Sequence, residues 1–378
     1  MRASTDYRKS LLDKIKLICT LLVMLPGTVA AELQVGDLVL QAGHVSLQDF
    51  VLSDPPAPAD NRTTPQRVAL GKQLFFDPRL SGDGNMSCAT CHNPMLGWSD
   101  GLPTARGAKG RMLNRATPSL VNAAYNTLQM WDGRKRSLED QAMGPLEAVA
   151  EMNLRPDLAA IWVRDNATYR AAFAQAYPGA EINQATIAKA IAAFERTIIS
   201  RNSAFDLWVA GDNAAMTPQQ VQGFAVFLDA ERGNCATCHM GANFSDNGFH
   251  NIGLAGHDNP GSDPGRHAVI PLPIMQGAFK TPTLREIGRT APYFHDGSAH
   301  TLQQVVDHYV EGGHGTNLSP NMKPLTLSLS ERTALVAFLH ALSSPPTQFA
   351  LPTLPRGSRP TAWAAWQRSS SATKVAAK

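Results

Sequence analysis

The apolar positions of QATIAKAIAAFERTIIS, residues 184–200, recur with the period of a helix, and the segments on either side carry helix punctuation. TPQRVALGKQLFF predicts a helix with Thr64 as N-cap and Pro65 in the first turn. TPQQVQGFAVFLDAERGN repeats that start, with Thr217 as cap, Pro218 behind it and Gln220 completing a capping box. TLQQVVDHYVEGG is capped by Thr301 with Gln304 and stopped by Gly312, and it shows an apolar stripe of Leu302, Val305, Val306 and Tyr309. LSERTALVAFLHAL has Ser328 or Ser330 as its cap. No convincing run of alternating strands appears, so the pattern predicts a mainly α protein with little β structure.

The two similar helix starts each lead to the same pentapeptide, Cys88-Ala-Thr-Cys91-His92 and Cys235-Ala-Thr-Cys238-His239. TPQ, a Val two residues on, an apolar helix and then CATCH form a weak internal repeat, which suggests two related modules in tandem. Their boundary is expected near Arg201 to Met216, beyond the helix of residues 184–200.

Composition narrows the setting. MRASTDYRKSLLDKIK, a short apolar run and GTVAAE read as a secretory signal peptide, residues 1–31, too short in its apolar part to span a bilayer comfortably. No stable membrane insertion is expected after its removal. The leader carries five basic and two acidic residues, so the remaining chain is formally neutral and has no basic footprint for nucleic acid. Of five cysteines, Cys19 lies in the leader and the other four are all in the two CATCH motifs, leaving none for a structural disulfide framework.

Cys at i and i+3 with His at i+4 project from one side of a helical turn, so two thioethers can clamp a porphyrin edge while the imidazole meets the iron. Zinc would want its second cysteine pair much closer in sequence, and a dithiol redox site leaves the doubled His unexplained. The reading is two covalently bound haem c groups, with His92 and His239 as proximal ligands. No histidine lies between them. A sixth ligand to the first iron from its own module would be Met, Lys or Tyr, with Met95 and Met112 the nearest methionines; the simplest reading is an open iron, where peroxide can bind.

GKQLFFDPRLSGDGNMSCATCH, WDGR at 131–134, FKTPTLREIG and TAPYFHDG together resemble the bacterial di-haem cytochrome c peroxidase and MauG superfamily, over about Thr64 to Leu342. The resemblance implies two cytochrome c-like α-helical haem domains in tandem, periplasmic location, a peroxide-reactive N-terminal haem and a C-terminal haem that relays electrons. On that basis residues 32–205 form the first domain, 206–345 the second, and 346–378 a flexible Pro- and Ser-rich basic tail.

Matched residue by residue, the interhaem tryptophan of the family falls on Trp131, and its distal glutamine and glutamate fall on Gln141 and Glu151. The distal histidine that some of these peroxidases carry sixteen residues after the proximal one is Ala108 here, implying an iron ready for peroxide without activation, as in MauG. The position of the second haem's sixth ligand, fourteen residues after His295, is Tyr309, which resembles the MauG tyrosine ligand, with Met322 as its competitor. Thr290 and Pro292 match two carbonyl ligands of an expected calcium, but Ala116 stands where an asparagine is usual.

These matches imply MauG-like oxidation of a partner protein's tryptophan by hydrogen peroxide. One departure bears on the substrate: the tryptophan that MauG carries just before its second motif is absent from ERGN. The alternatives are peroxide reduction with electrons from a small cytochrome or cupredoxin, and a non-enzymatic electron carrier.

Overall fold

Helices start where the capping residues put them. In the computed structural model, which describes residues 33–254, 256, 259 and 261–357, ten α-helices are present. They are α1 (Pro65–Phe76), α2 (Cys88–Cys91), α3 (Leu138–Glu147), α4 (Pro156–Asp165), α5 (Ala167–Ala176), α6 (Gln184–Glu195), α7 (Ala204–Val209), α8 (Pro218–Leu228), α9 (Leu302–Glu311) and α10 (Leu329–Ala341). Thr64 accepts from the Arg67 N–H, and capping boxes close Thr217 with Gln220, Thr301 with Gln304 and Ser328 with Glu331. The cap of α10 is therefore Ser328 rather than Ser330. The expected signal peptide, His257 and the chain beyond Gly357, with Trp363 and Trp366, lie outside the described residues.

Strand structure is limited to two antiparallel pairs of two residues each among the described residues: β1 (Gln34–Val35) with β2 (Leu38–Val39), and β3 (Phe249–His250) with β4 (Phe279–Lys280). The second pair sets Lys280 opposite Phe249 and His250 opposite Phe279.

Each half is organised around one close helix crossing. Gly71 on α1 lies so near α6 that a Cβ there would sit 1.8 Å from the Ala190 carbonyl oxygen and 2.9 Å from Phe194 Cβ. Gly223 on α8 meets α10 in the same way, 1.9 Å from the Ala334 oxygen and 2.9 Å from Phe338 Cβ. Only glycine permits either approach. The sequence repeat is thus a repeat of packing. Helix α6 is no bare connector: Ala190, Ile191, Ala192 and Ala193 are buried, and it forms one wall of the first core with Leu70, Leu74 and Phe75. The second core is mainly aromatic, with Phe205, Phe224, Phe227, Phe244 and Phe338 all buried.

Residues 346–357, expected as the start of a flexible tail, are tied down. The segment leaves α10 and returns across the first half, where Gln73 donates to the Thr353 carbonyl and Arg79 to those of Pro355 and Gly357. Asn166 donates to the Arg356 carbonyl, and the Phe349 ring stacks on Phe76 at 5.4 Å. Proline-rich composition keeps a segment from forming helix or sheet; it does not prevent docking through carbonyls and one aromatic ring.

Candidate active site

Both pentapeptides bend into a single tight turn. Cys88–Cys91 forms α2, capped by Ser87 with Thr90, and the His92 N–H donates to the Cys88 carbonyl at 2.9 Å. The second copy is a 3-10 turn in which the His239 N–H donates to the Cys235 carbonyl at 2.9 Å. The two cysteines and the histidine of each copy line one shared, largely apolar cavity of about 1200 Å³. A pocket for one small molecule runs to roughly 300–1,000 Å³, so this space is larger than a single ligand needs.

Each imidazole is oriented from behind. His92 Nδ1 lies 3.1 Å from the Trp98 carbonyl oxygen, with the Pro118 carbonyl also facing the ring, and His239 Nδ1 lies 2.9 Å from the Phe244 carbonyl. A carbonyl can only accept, so Nδ1 carries the proton and Nε2 keeps its lone pair for a metal. Burial lowers the pKa of both rings, which favours the neutral, ligating form. All four thiols are free, and burial pushes Cys91 and Cys238 up to about 11 and Cys235 to about 12. Protonated thiols beside neutral imidazoles on an apolar cavity are a donor set that fits a haem at each copy.

Trp131 lines the same cavity, half-buried. Its indole N–H donates to the Ala116 carbonyl at 2.9 Å, and its own carbonyl accepts from Lys280 on β4 at 2.8 Å. The ring lies edge-on to His295 at 6.4 Å, and His295 stacks on Phe279 at 3.5 Å. The rest of WDGR fixes this placement. Asp132 accepts from Arg115 at 2.6 Å and Arg134 at 2.8 Å, and a Cβ on Gly133 would meet Phe249 at 2.3 Å. Ala116, where an asparagine was expected, acts through its backbone, donating to the His295 carbonyl at 2.7 Å.

Gln141 and Glu151 line the cavity, Glu151 close enough to Cys91 to act on it electrostatically. Gln141 Nε2 lies 3.8 Å from the sulfur of Met130, another lining residue. Burial raises the Glu151 carboxyl above its ordinary pKa, and Arg134 partly offsets this. Ala108 is joined to that carboxylate's backbone, its N–H donating to the carbonyls of both Ala150 and Glu151 at 3.1 and 2.8 Å.

Around the second copy, Tyr309 on α9 is half-buried and faces the cavity with Cys235 and Cys238 close enough to act on it electrostatically. Burial raises its phenol well above the usual range. Met322 lines the same cavity, its terminal methyl lying 3.2 Å from where a Gly313 Cβ would be. His308 is occupied elsewhere, bonded to the Ile252 carbonyl at 2.9 Å. Thr290 and Pro292 are both at the cavity wall. Among the described residues, the one group of three or more His, Cys, Asp and Glu close enough to hold an ion is Cys238, Asp246 and His250.

Several cavity residues escaped sequence reasoning. Glu195, at the end of α6, is 3% exposed with Oε2 unpartnered, and burial pushes its pKa up to about 8. Lys280 is buried and pushed down to about 8 by burial, and its ammonium donates to the Thr281 carbonyl. Alternation along β4 was the available signal for Lys280, but two residues are too short to read.

Comparison with known proteins agrees with this geometry. A family profile described as di-haem cytochrome c peroxidase matches residues 65–214. The methylamine utilization protein MauG of Methylorubrum extorquens is 44% identical over 304 residues, 79% of this chain and 84% of that protein. This chain belongs to the di-haem cytochrome c peroxidase family. It is also 35% identical to the cytochrome c551 peroxidase of Pseudomonas aeruginosa, over 78% of this chain and 84% of that one. A solved MauG-like protein associated with microbial copper homeostasis superposes with a TM-score of 0.73 at 30% identity, covering 82% of this chain and 97% of its own.

Two haem cofactors and a peroxidase-type oxidoreductase activity go with membership, which sets aside the non-enzymatic carrier. No helix among the described residues is long and apolar enough to cross a membrane.

Proposed function

We propose that this chain is a periplasmic enzyme that uses hydrogen peroxide to oxidise a tryptophan on a partner protein, in the manner of MauG. The observation that carries the reading is Tyr309, a half-buried phenol on the cavity wall beside both cysteines of the second motif. Cys88, Cys91 and His92 hold one haem, and Cys235, Cys238 and His239 hold the other. Bound there, the haems supply the redox chemistry.

The side chains supply placement and proton movement. Glu151, its pKa raised by burial, would take the proton from the inner oxygen of peroxide and return it to the outer oxygen. Gln141 orients the peroxide from the same wall. Trp131 bridges the two sites, its indole proton fixed on the Ala116 carbonyl so that the ring keeps one orientation. Tyr309 would hold the second haem as a phenolate. Burial alone opposes loss of its proton, so iron binding must provide the compensating charge. A phenolate favours the more oxidised iron and suits storage of an oxidising equivalent. Ala108, with its small side chain, would offer the first haem no sixth ligand. Thr290 and Pro292 offer two carbonyls to a calcium ion, which typically takes about 6–8 oxygens, so most of its shell would come from other groups; no step depends on it.

Met322 on the same wall supports a second reading, peroxide reduction with electrons from a small cytochrome or cupredoxin, because a thioether ligand would raise the second haem's potential. Electronic and EPR spectra of the loaded enzyme after one equivalent of peroxide, without donor, separate the two. The MauG-like reading expects both oxidising equivalents to persist, and to be lost in Tyr309→Phe. If Tyr309→Phe leaves the spectra unchanged and the parent enzyme turns over reduced cytochrome rapidly, that reading is wrong.

A further inference from the structure

The carbonyls that orient the two proximal histidines come from residues in an unusual conformation. Trp98 has φ of 60° and Phe244 has φ of 48°, both in the left-handed region. For a bulky side chain that region costs roughly 1–2 kcal/mol, so neither residue holds it unaided. In each case the ring is caged. Trp98 packs edge-on to Phe75 at 5.9 Å, Phe194 at 5.9 Å and Phe349 at 5.2 Å. Phe244 packs on Phe205 at 5.2 Å, Phe227 at 6.0 Å and Phe50 at 5.5 Å.

One member of each cage comes from the far end of the chain. Phe349 belongs to the strap that follows α10 of the second half, yet it closes the cage of the first. Phe50 precedes α1 of the first half, yet it closes the cage of the second. Both are anchored. Lys72 lies over the Phe349 ring at 4.3 Å, and Arg79 holds the strap at Pro355. Phe50 is 1% exposed, and its carbonyl accepts from Arg285 at 3.2 Å.

We infer that Phe349 and Phe50 are positioning residues for the haem of the opposite half, each holding the aromatic residue whose carbonyl orients the proximal histidine. The inference rests on His92 and His239 being those ligands. A histidine that donates from Nδ1 to a fixed carbonyl is a more basic ligand and favours oxidised iron. Loosening the cage lengthens that bond, so the potential of the affected haem rises. The terminal segments therefore cross-link the two redox centres mechanically, each half depending on the other's end.

The test is spectroelectrochemical titration of both haems in the loaded enzyme, with Phe349→Ala, Phe50→Ala and Phe349→Tyr. Phe349→Ala is expected to change the reduced-to-oxidised ratio of the first haem at fixed potential by up to about tenfold, ~59 mV for one electron, leaving the second haem unmoved. Phe50→Ala shifts the second haem alone, and Phe349→Tyr restores the parent value. If Phe349→Ala prevents loading, Phe349→Leu takes its place. Resonance Raman adds a second readout, the iron–histidine stretch of the first haem moving to lower frequency with Phe349→Ala. Unchanged potentials in both alanine variants, or equal shifts in both haems, overturn the inference. His92→Ala separates the two levels. If it leaves the first haem's spectrum unaltered, the ligand assignment has failed; if it alters that spectrum while the Phe349 variants do not, only the cage inference has.

Discussion

Gly107→Ala adds one methyl group at a position with nothing to do in the chemistry, and the structure says how far it reaches. The added Cβ would lie 1.8 Å from the Ala150 carbonyl oxygen, 2.8 Å from its carbon and 3.0 Å from Glu151 Cα. A carbon and a carbonyl oxygen rest at about 3.4 Å, so the two segments must part by about 1.6 Å. Backbone strain plays no part, because Gly107 has φ of −100°. The displacement falls on the Ala108 hydrogen bonds to the Ala150 and Glu151 carbonyls, which tie down the backbone that carries the Glu151 carboxylate. Misplacing a catalytic group by 1 Å can cost about 10²-fold, or about 2.7 kcal/mol of transition-state stabilisation. Stopped-flow absorbance of the loaded enzyme mixed with peroxide reads the rate directly. The expected result is a roughly 10²-fold slower peroxide reaction with the second haem's spectrum unchanged. In a Glu151→Gln background the same methyl should then have almost no further effect, since both changes act on one proton transfer. A full penalty of about 10²-fold in that background, or a rate within about threefold of the parent for Gly107→Ala alone, would show that Gly107 does not act through Glu151.

Arg285 is 1% exposed and holds Asp206 at 2.6 Å, the Ala242 carbonyl at 2.7 Å and the Phe50 carbonyl. Arg285→Met removes the guanidinium from Asp206, whose other oxygen keeps the Ser203 N–H and O–H, and should lower unfolding free energy by about 3 kcal/mol, read from urea midpoints; a loss under about 1 kcal/mol would show the pair to be dispensable. Glu195, pushed up to about 8 by burial, is neutral at pH 7 and carries an opposite prediction. Its folded pKa lies above the unfolded one, so its contribution is fully present below the unfolded carboxylate pKa. That contribution is lost as pH rises from there to about 8. Glu195→Gln should therefore raise the thermal midpoint more at pH 8.5 than at pH 5, and a pH-independent difference would contradict the burial argument.

What could be read in the sequence was whatever a short window contains. The caps Thr64, Thr217 and Thr301 each fix a helix start within three residues, and the CxxCH spacing fixes which atoms share a face; both survive into the structure unchanged. Trp131, Gln141, Glu151 and Tyr309 were placed by resemblance, and all four line one cavity. Spacing alone could not have done so, since a lone Trp or Glu reads as core or surface.

The residues that escaped share a different property: their role is made by contact between distant segments. Trp98 orients His92 with its backbone oxygen, and a carbonyl has no letter in the sequence. Glu195 looks like an ordinary helix-ending acid until the cavity wall closes around it. Phe349 sits in a proline-rich stretch whose composition says only that it will not be helical, and composition is silent on whether an irregular segment docks. The two glycines at the helix crossings show the same limit from the other side. Gly71 and Gly223 follow their caps by seven and six residues, so the repeat is out of register by one as a string, yet each meets an alanine oxygen and the phenylalanine four residues later. Packing preserves which atoms touch rather than how many residues separate them. A tandem design can therefore be clear in space while its sequence repeat remains faint.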